Sequence, residues 1–134
     1  MKKVLLIDND QDYVTDLEQA LKTNGYQVAT ASRADEGLPM ALAFLPDIVI
    51  LEVMLENDTA GFEFAYQLRS DRKSSRYRSI KDTPILLVTA INQATHFRFS
   101  LNEKASFLPA GVEMLTKPVP MELLLTKLTQ MTAE

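Results

Sequence analysis

Four apolar runs in this chain end on, or carry near their ends, residues able to do chemistry. "KVLLI" (3–7) runs into Asp8, Asn9 and Asp10, and "DIVIL" (47–51) runs into Glu52. "PILLVTA" (84–90) carries Thr89, and "VEML" (112–115) is followed at once by Thr116 and Lys117. Carboxylates are hard oxygen ligands that suit Mg²⁺. A hydroxyl and an ammonium bind phosphoryl oxygens. Brought together, such groups would stabilise the spread negative charge of a phosphoryl-transfer transition state.

These residues act as a set only if the runs that carry them lie side by side. Between the runs the apolar spacing becomes helical. Val14, Leu17, Ala20 and Leu21 define a first helix, with Asn9 or Asp10 as its cap and Asn24-Gly25 as its stop. "YQVATA" (26–31) reads as a second strand. Ser32 then fits as the N-cap of a helix running to about Leu45, with Asp35 and Glu36 in its first turn. Pro39 lies inside that span and predicts a kink or a late start. "ENDTAG" (56–61) is a loop, "FEFAYQLRS" (62–70) a third helix, and "MELLLTKLTQM" (121–131) the last, with Pro120 as its first residue. The region 91–110 has no clean period, and a poor helix is expected over its second half.

Strands of continuous apolar residues alternating with helices imply βαβ units and a parallel sheet covered on both faces. Five strands point to a flavodoxin-like, doubly wound sheet of order 2-1-3-4-5. Ligands then sit outside the carboxyl ends of the strands, where Asp8, Glu52, Thr89 and Lys117 fall.

The bulk numbers agree with one globular domain: 134 residues, 46% hydrophobic and 24% charged. Absence of cysteine excludes disulfides, thiolate metal sites and Cys nucleophiles, and the single His96 excludes a His-rich metal site. A net charge of −4 gives no indication of nucleic-acid binding by the whole surface. The apolar run of "MKKVLLIDND" is too short for a signal peptide, and the window 37–55 holds prolines and charges that do not suit a membrane. The expectation is a soluble cytoplasmic protein. The chain ends soon after the last helix, so it reads as a single domain over 1–134, stand-alone or excised.

The ordered set "VLLIDND" (4–10), "PDIVILEVML" (46–55), "GFEFAYQLR" (61–69), "PILLVTA" (84–90) and "GVEMLTKP" (111–118) resembles the receiver domain of two-component response regulators over nearly the whole chain. The resemblance implies a phospho-acceptor at Glu52 and Mg²⁺ held by Asp8, Asn9 and the Met54 carbonyl. It implies a phosphate-sensing hydroxyl at Thr89, a switch residue at Met114, and a phosphate-binding Lys117 joined to Pro118 by a cis peptide. It implies a signalling partner, a histidine kinase or output protein. That partner would dock on the face made by the helix in 91–110, the fifth strand and the last helix, and a homodimer is compatible with the family.

The sequence departs from that pattern. Glu52 replaces an aspartate, Asn9 replaces an acid that Asp10 compensates in part, and Met114 replaces an aromatic. Glu56 stands where proline is usual, the loop to Gly61 is one residue longer, and the connection from Arg69 to Pro84 is extended. A glutamate reaches about 1.5 Å further than an aspartate, one C–C bond. The neutral oxygen of Asn9 weakens Mg²⁺ binding. Poor phosphorylation is therefore expected.

Two rival readings remain. "LLIDND" also fits the D-x-D start of a haloacid-dehalogenase-like phosphatase, with Asp8 as nucleophile and Asp10 as general acid/base. It lacks paired acids on a later strand. An FMN carrier would need a phosphate loop after the first strand. Separately, "RSDRKSSRYRSIK" (69–81) holds six of the fourteen cations and is either a docking patch or a solvated, mobile extension.

Overall fold

The computed structural model describes residues 1–90 and 108–133. The poor helix expected within 91–110, with His96, Phe97 and Phe99, lies almost wholly outside the described residues. Five parallel strands form one sheet: β1 (Lys3–Ile7), β2 (Gln27–Ala31), β3 (Ile48–Leu51), β4 (Ile85–Ala90) and β5 (Val112–Lys117). Their order is β2-β1-β3-β4-β5. This is the expected flavodoxin-like α/β architecture.

Alternation along the strands divides the core in two, because successive side chains point to opposite faces. Leu5, Ile7, Val49, Leu51, Ile85 and Leu87 face α2 (Ala34–Phe44) and α3 (Ala60–Leu68). Val4, Leu6, Ile48, Ile50, Leu86 and Val88 face α1 (Gln11–Thr23) and the C-terminal helix α4 (Met121–Met131). Covered on both sides, the central strands β1, β3 and β4 keep their polar residues to their ends.

Several boundaries differ from the sequence expectation, each for a local reason. Asp10 is the cap of α1, its side chain accepting from Tyr13 N. Arg33, not Ser32, occupies the N-cap position of α2, and no side chain of its own caps that helix. The Ser32 hydroxyl bonds Glu36 instead, at 3.0 Å. The cap comes from Glu56, whose two oxygens accept from Ala34 N at 2.7 Å and Asp35 N at 2.9 Å. Helix α2 continues through Pro39 rather than starting after it. Pro120 precedes α4 as its N-cap instead of opening it. Strand β5 runs two residues beyond the expected end, so Lys117 lies in the sheet itself. Helix α3 starts two residues early, at Ala60.

Between α3 and β4 the extended connection is pinned down. Ile80 is buried in a short 3₁₀ turn, Arg78–Ile80, and Tyr77 packs against the core. The Arg69 guanidinium donates to the carbonyls of Lys81, Ala110 and Gly111. Among the described residues no helix is long and apolar enough to cross a membrane.

Candidate functional site

Parallel pairing of β1 with β3 sets Ile7 against Leu51. The next residues, Asp8 and Glu52, therefore emerge together at the carboxyl edge. Their backbones stay in the ladder: Asp8 N donates to Ala31 O at 3.1 Å and Glu52 N to Ile7 O at 2.9 Å. Both side chains are buried, with residue exposures of 2% and 6%. Two buried carboxylates side by side need compensation. Lys117 supplies it from β5, two strands from β3. Its Nζ lies 2.8 Å from Asp8 Oδ2 and 3.3 Å from Glu52 Oε1.

The other carboxylate oxygens are also occupied. Asp8 Oδ1 accepts from Asp10 N at 3.0 Å, and Glu52 Oε2 from Val53 N at 2.6 Å. All four oxygens thus have a donor. Tyr13, in the first turn of α1, places its ring under the ammonium, 4.2 Å from Nζ to the centroid. Burial draws the Lys117 pKa down, but its bond to Asp8 and the charges of Asp8 and Glu52 outweigh this and hold it above the ordinary value. Burial raises the Tyr13 phenol, aided by Asp8, Glu52 and Asp10 against the opposing Lys117.

Of the remaining candidate residues, Thr89 is fully buried at the end of β4, in register with Thr116. Asn9 and Asp10 are exposed, and Asp10 Oδ1 is used by the helix cap. Met54 and Met114 are half-buried and pack against the α2–α3 side of the core. The Lys117-Pro118 bond is cis. Asp8, Glu52 and Lys117 are thus joined directly, Asp10 only through its amide.

Three contributors were not singled out from sequence. Tyr13 was hidden as one aromatic in an amphipathic helix, although it follows the acid cluster by one turn. Glu56 stood out only as a departure at a position where proline is usual, with no sign that it caps a helix. Gly61 is required by close approach. A Cβ there would press on the Glu52 carbonyl oxygen and lie 2.7 Å from Val53 Cα. Its amide donates to Val53 O at 2.8 Å, holding α3 against the strand end.

The sequence profile of the response regulator receiver domain matches residues 4–129. The chain belongs to this family, whose members receive signals in two-component systems. Among curated relatives, response regulator MprA of Mycolicibacterium vanbaalenii is 33% identical over 127 residues, 94% of this chain and 48% of MprA. The alkaline phosphatase synthesis transcriptional regulatory protein PhoP of Bacillus subtilis is 37% identical over 89 residues, 66% of this chain and 33% of PhoP. The chain spans about half the length of the MprA relatives it matches. Among solved structures, response regulator TrrA of Thermotoga maritima, in complex with Mg(2+)-BeF, has a TM-score of 0.73 at 26% identity, covering 98% of this chain and 99% of TrrA. A putative response regulator from Chloroflexus aurantiacus shares the fold with a TM-score of 0.76 at 24% identity, covering 99% of this chain and 98% of that one.

Proposed function

We propose that this single receiver-like domain is a signalling module of a two-component or phosphorelay pathway, has Glu52 at the phospho-acceptor position, is phosphorylated poorly, and acts through protein–protein contact. The observation that carries this reading is the bonding of Glu52. One oxygen meets Lys117 and the other meets Val53 N at 2.6 Å, so each oxygen is already held by a donor and attack on phosphorus is left to its remaining lone pair. The extra methylene adds to the mismatch: a displacement of about 1 Å costs in-line transfer about a hundredfold.

The donor set suits a weakly held Mg²⁺. Asp8, Glu52 and the Met54 carbonyl would hold it, with Asn9 supplying a neutral oxygen in place of an anionic one. No group of three or more acid, His or Cys ligands occurs among the described residues. Bound there, the metal would neutralise charge on phosphoryl oxygens. The Mg(2+)-BeF complex of TrrA supports this assignment. In this reading Thr89 and Lys117 are the phosphate-side groups and Met114 the coupled switch residue.

Glu52 also resembles a permanent charge at the acceptor position. It supplies one negative charge, where a phosphoryl group supplies about −1.5 to −2. Moving a two-state switch fully takes about 5 kcal/mol of differential binding, more than one such pair provides. The module is therefore fixed or weakly biased. Its partner is a kinase or output protein meeting β5, α4 and the segment before β5, with homodimerisation through the same surface as the variant. The phosphatase alternative requires Asp10 as acid/base, whereas Asp10 Oδ1 is bonded to Tyr13 N. We assign no enzymatic turnover.

Acetyl phosphate with Mg²⁺, followed by intact mass, tests the reading. The wild type should gain no stable adduct, while Glu52→Asp should gain about 80 Da, one phosphoryl group. A stable adduct on Glu52 overturns the proposal. Turnover of a phosphomonoester that is lost in Asp8→Asn would move the assignment to the phosphatase class.

A further inference from the structure

The basic connection between α3 and β4 lies at the amino-terminal edge of the sheet, opposite the carboxylate–lysine site. Residues 69–82 hold six cations and two acids, a net +4, in a chain of net −4, so the remainder carries −8. Among the described residues, most of this charge is not consumed internally. Among the described residues, every Lys or Arg outside the connection has a partner. Lys22, Arg33, Lys117 and Lys127 are in ion pairs. Lys2 and Lys3 bond main-chain carbonyls. Within the connection, Arg69 braces three carbonyls and Lys81 pairs with Asp71. Arg72, Lys73, Arg76 and Arg78 are exposed and make no ion pair among the described residues.

Nor is the segment a loose tail. Buried Ile80, core-packed Tyr77 and the Arg69 brace fix both of its ends. Between them an open groove of about 650 Å³ is lined by Tyr66, Arg72, Ser74, Ser75, Arg76 and Tyr77. Tyr66 is 47% exposed. Guanidinium forks match carboxylate oxygens bidentately, serine hydroxyls supply further donors, and the tyrosine rings supply apolar area.

The geometry points to this groove as a docking site for a short acidic segment of a protein partner. The occupant's length decides between an acidic peptide and a nucleic acid. A nucleic acid carries a charge at every phosphate and would extend past the patch over a surface of net −8. A short acidic segment places its charges within about one Debye length, 8–10 Å, of the free arginines. The site is independent of the acceptor chemistry, because it lies at the other end of the strands.

The test uses fluorescence anisotropy of a labelled hexaglutamate peptide with the whole chain, and a labelled oligothymidylate of equal charge as comparison. Hexaglutamate should bind, and its affinity should fall about tenfold or more between about 20 and 200 mM salt. Arg72→Glu/Arg76→Glu should lose about tenfold or more at low salt, as expected for reversed contact charges. Both side chains are exposed, so an unchanged circular dichroism melt should accompany that loss. Lys73→Glu alone provides a milder second variant with a smaller loss. Hexaglutamate binding weaker than about 1 mM, or binding equally to the double variant, overturns the proposal. So does oligothymidylate binding more tightly than hexaglutamate and being lost in the same variant.

Discussion

At the residue scale the molecule's main electrostatic commitment is a single ammonium between two buried carboxylates. Lys117 has only 19% of its side chain exposed, and the Asp8 and Glu52 side chains 3% and 7%. Removing one member of such a set leaves uncompensated charge in a low dielectric, whereas removing all of it does not. Lys117→Met should therefore destabilise the fold by about 3 kcal/mol in urea titrations. The triple variant Asp8→Asn/Glu52→Gln/Lys117→Met should recover most of that loss. Equal destabilisation of the single and triple variants would show that packing of the lysine stem, rather than its charge, is what counts.

At the element scale, two helix ends are set by residues a propensity reading passes over. Helix α2 is capped from another loop by Glu56, which joins its N-terminus to the segment that follows Glu52. Glu56→Ala should cost about 1–2 kcal/mol, because it removes two charge-assisted bonds at the positive end of the helix dipole. Glu56→Gln, which keeps the acceptor oxygen, should cost less, and chemical denaturation distinguishes the two. The same helix ends on Leu45 at φ 53, a left-handed backbone that costs a branched residue about 1 kcal/mol. Leu45 is 56% exposed, so little packing is at stake. Leu45→Asn should raise stability by about 0.5–1 kcal/mol, read as an upward shift of the melting midpoint. Ser32 was the plausible cap by residue type. Glu56 displaced it because a carboxylate has two oxygens for two orphan amides, a competition invisible along the chain.

At the scale of the whole molecule, the perturbed protons of the site bear on global stability at alkaline pH. The folded chain holds the Lys117 proton above its ordinary pKa of 10.5 and the Tyr13 proton above 10.0. For both groups the unfolded chain loses the proton first. The stabilisation is fully present below the unfolded values and is lost as pH rises through the folded ones. Urea midpoints should show no pH dependence from these two groups between about pH 6 and 9, and a fall beginning near the unfolded pKa values. Tyr13→Phe should remove the earlier part of that fall. The parallel sheet, and with it the edge where the chemistry gathers, was legible from the alternation of apolar runs and helical spacing, and the strand order followed from the fold class. The anchoring of 69–83 was not, because Arg69 bonds carbonyls of residues 110 and 111, 41 and 42 positions along the chain, besides that of residue 81.

The amino-acid order alone determines five strands, their helical crossovers, and therefore the edge at which Asp8, Glu52, Thr89 and Lys117 emerge. Burial periodicity and turn chemistry are local properties, readable within about a dozen residues. Partner choice is not local. Lys117 bonds a carboxylate 109 positions away, and Glu56 caps a helix 22 positions back. Those contacts depend on sheet order and register. The tertiary arrangement therefore decided how each oxygen of Glu52 is bonded, and hence why an acid at a strand tip can be held closed by an amide and an ammonium.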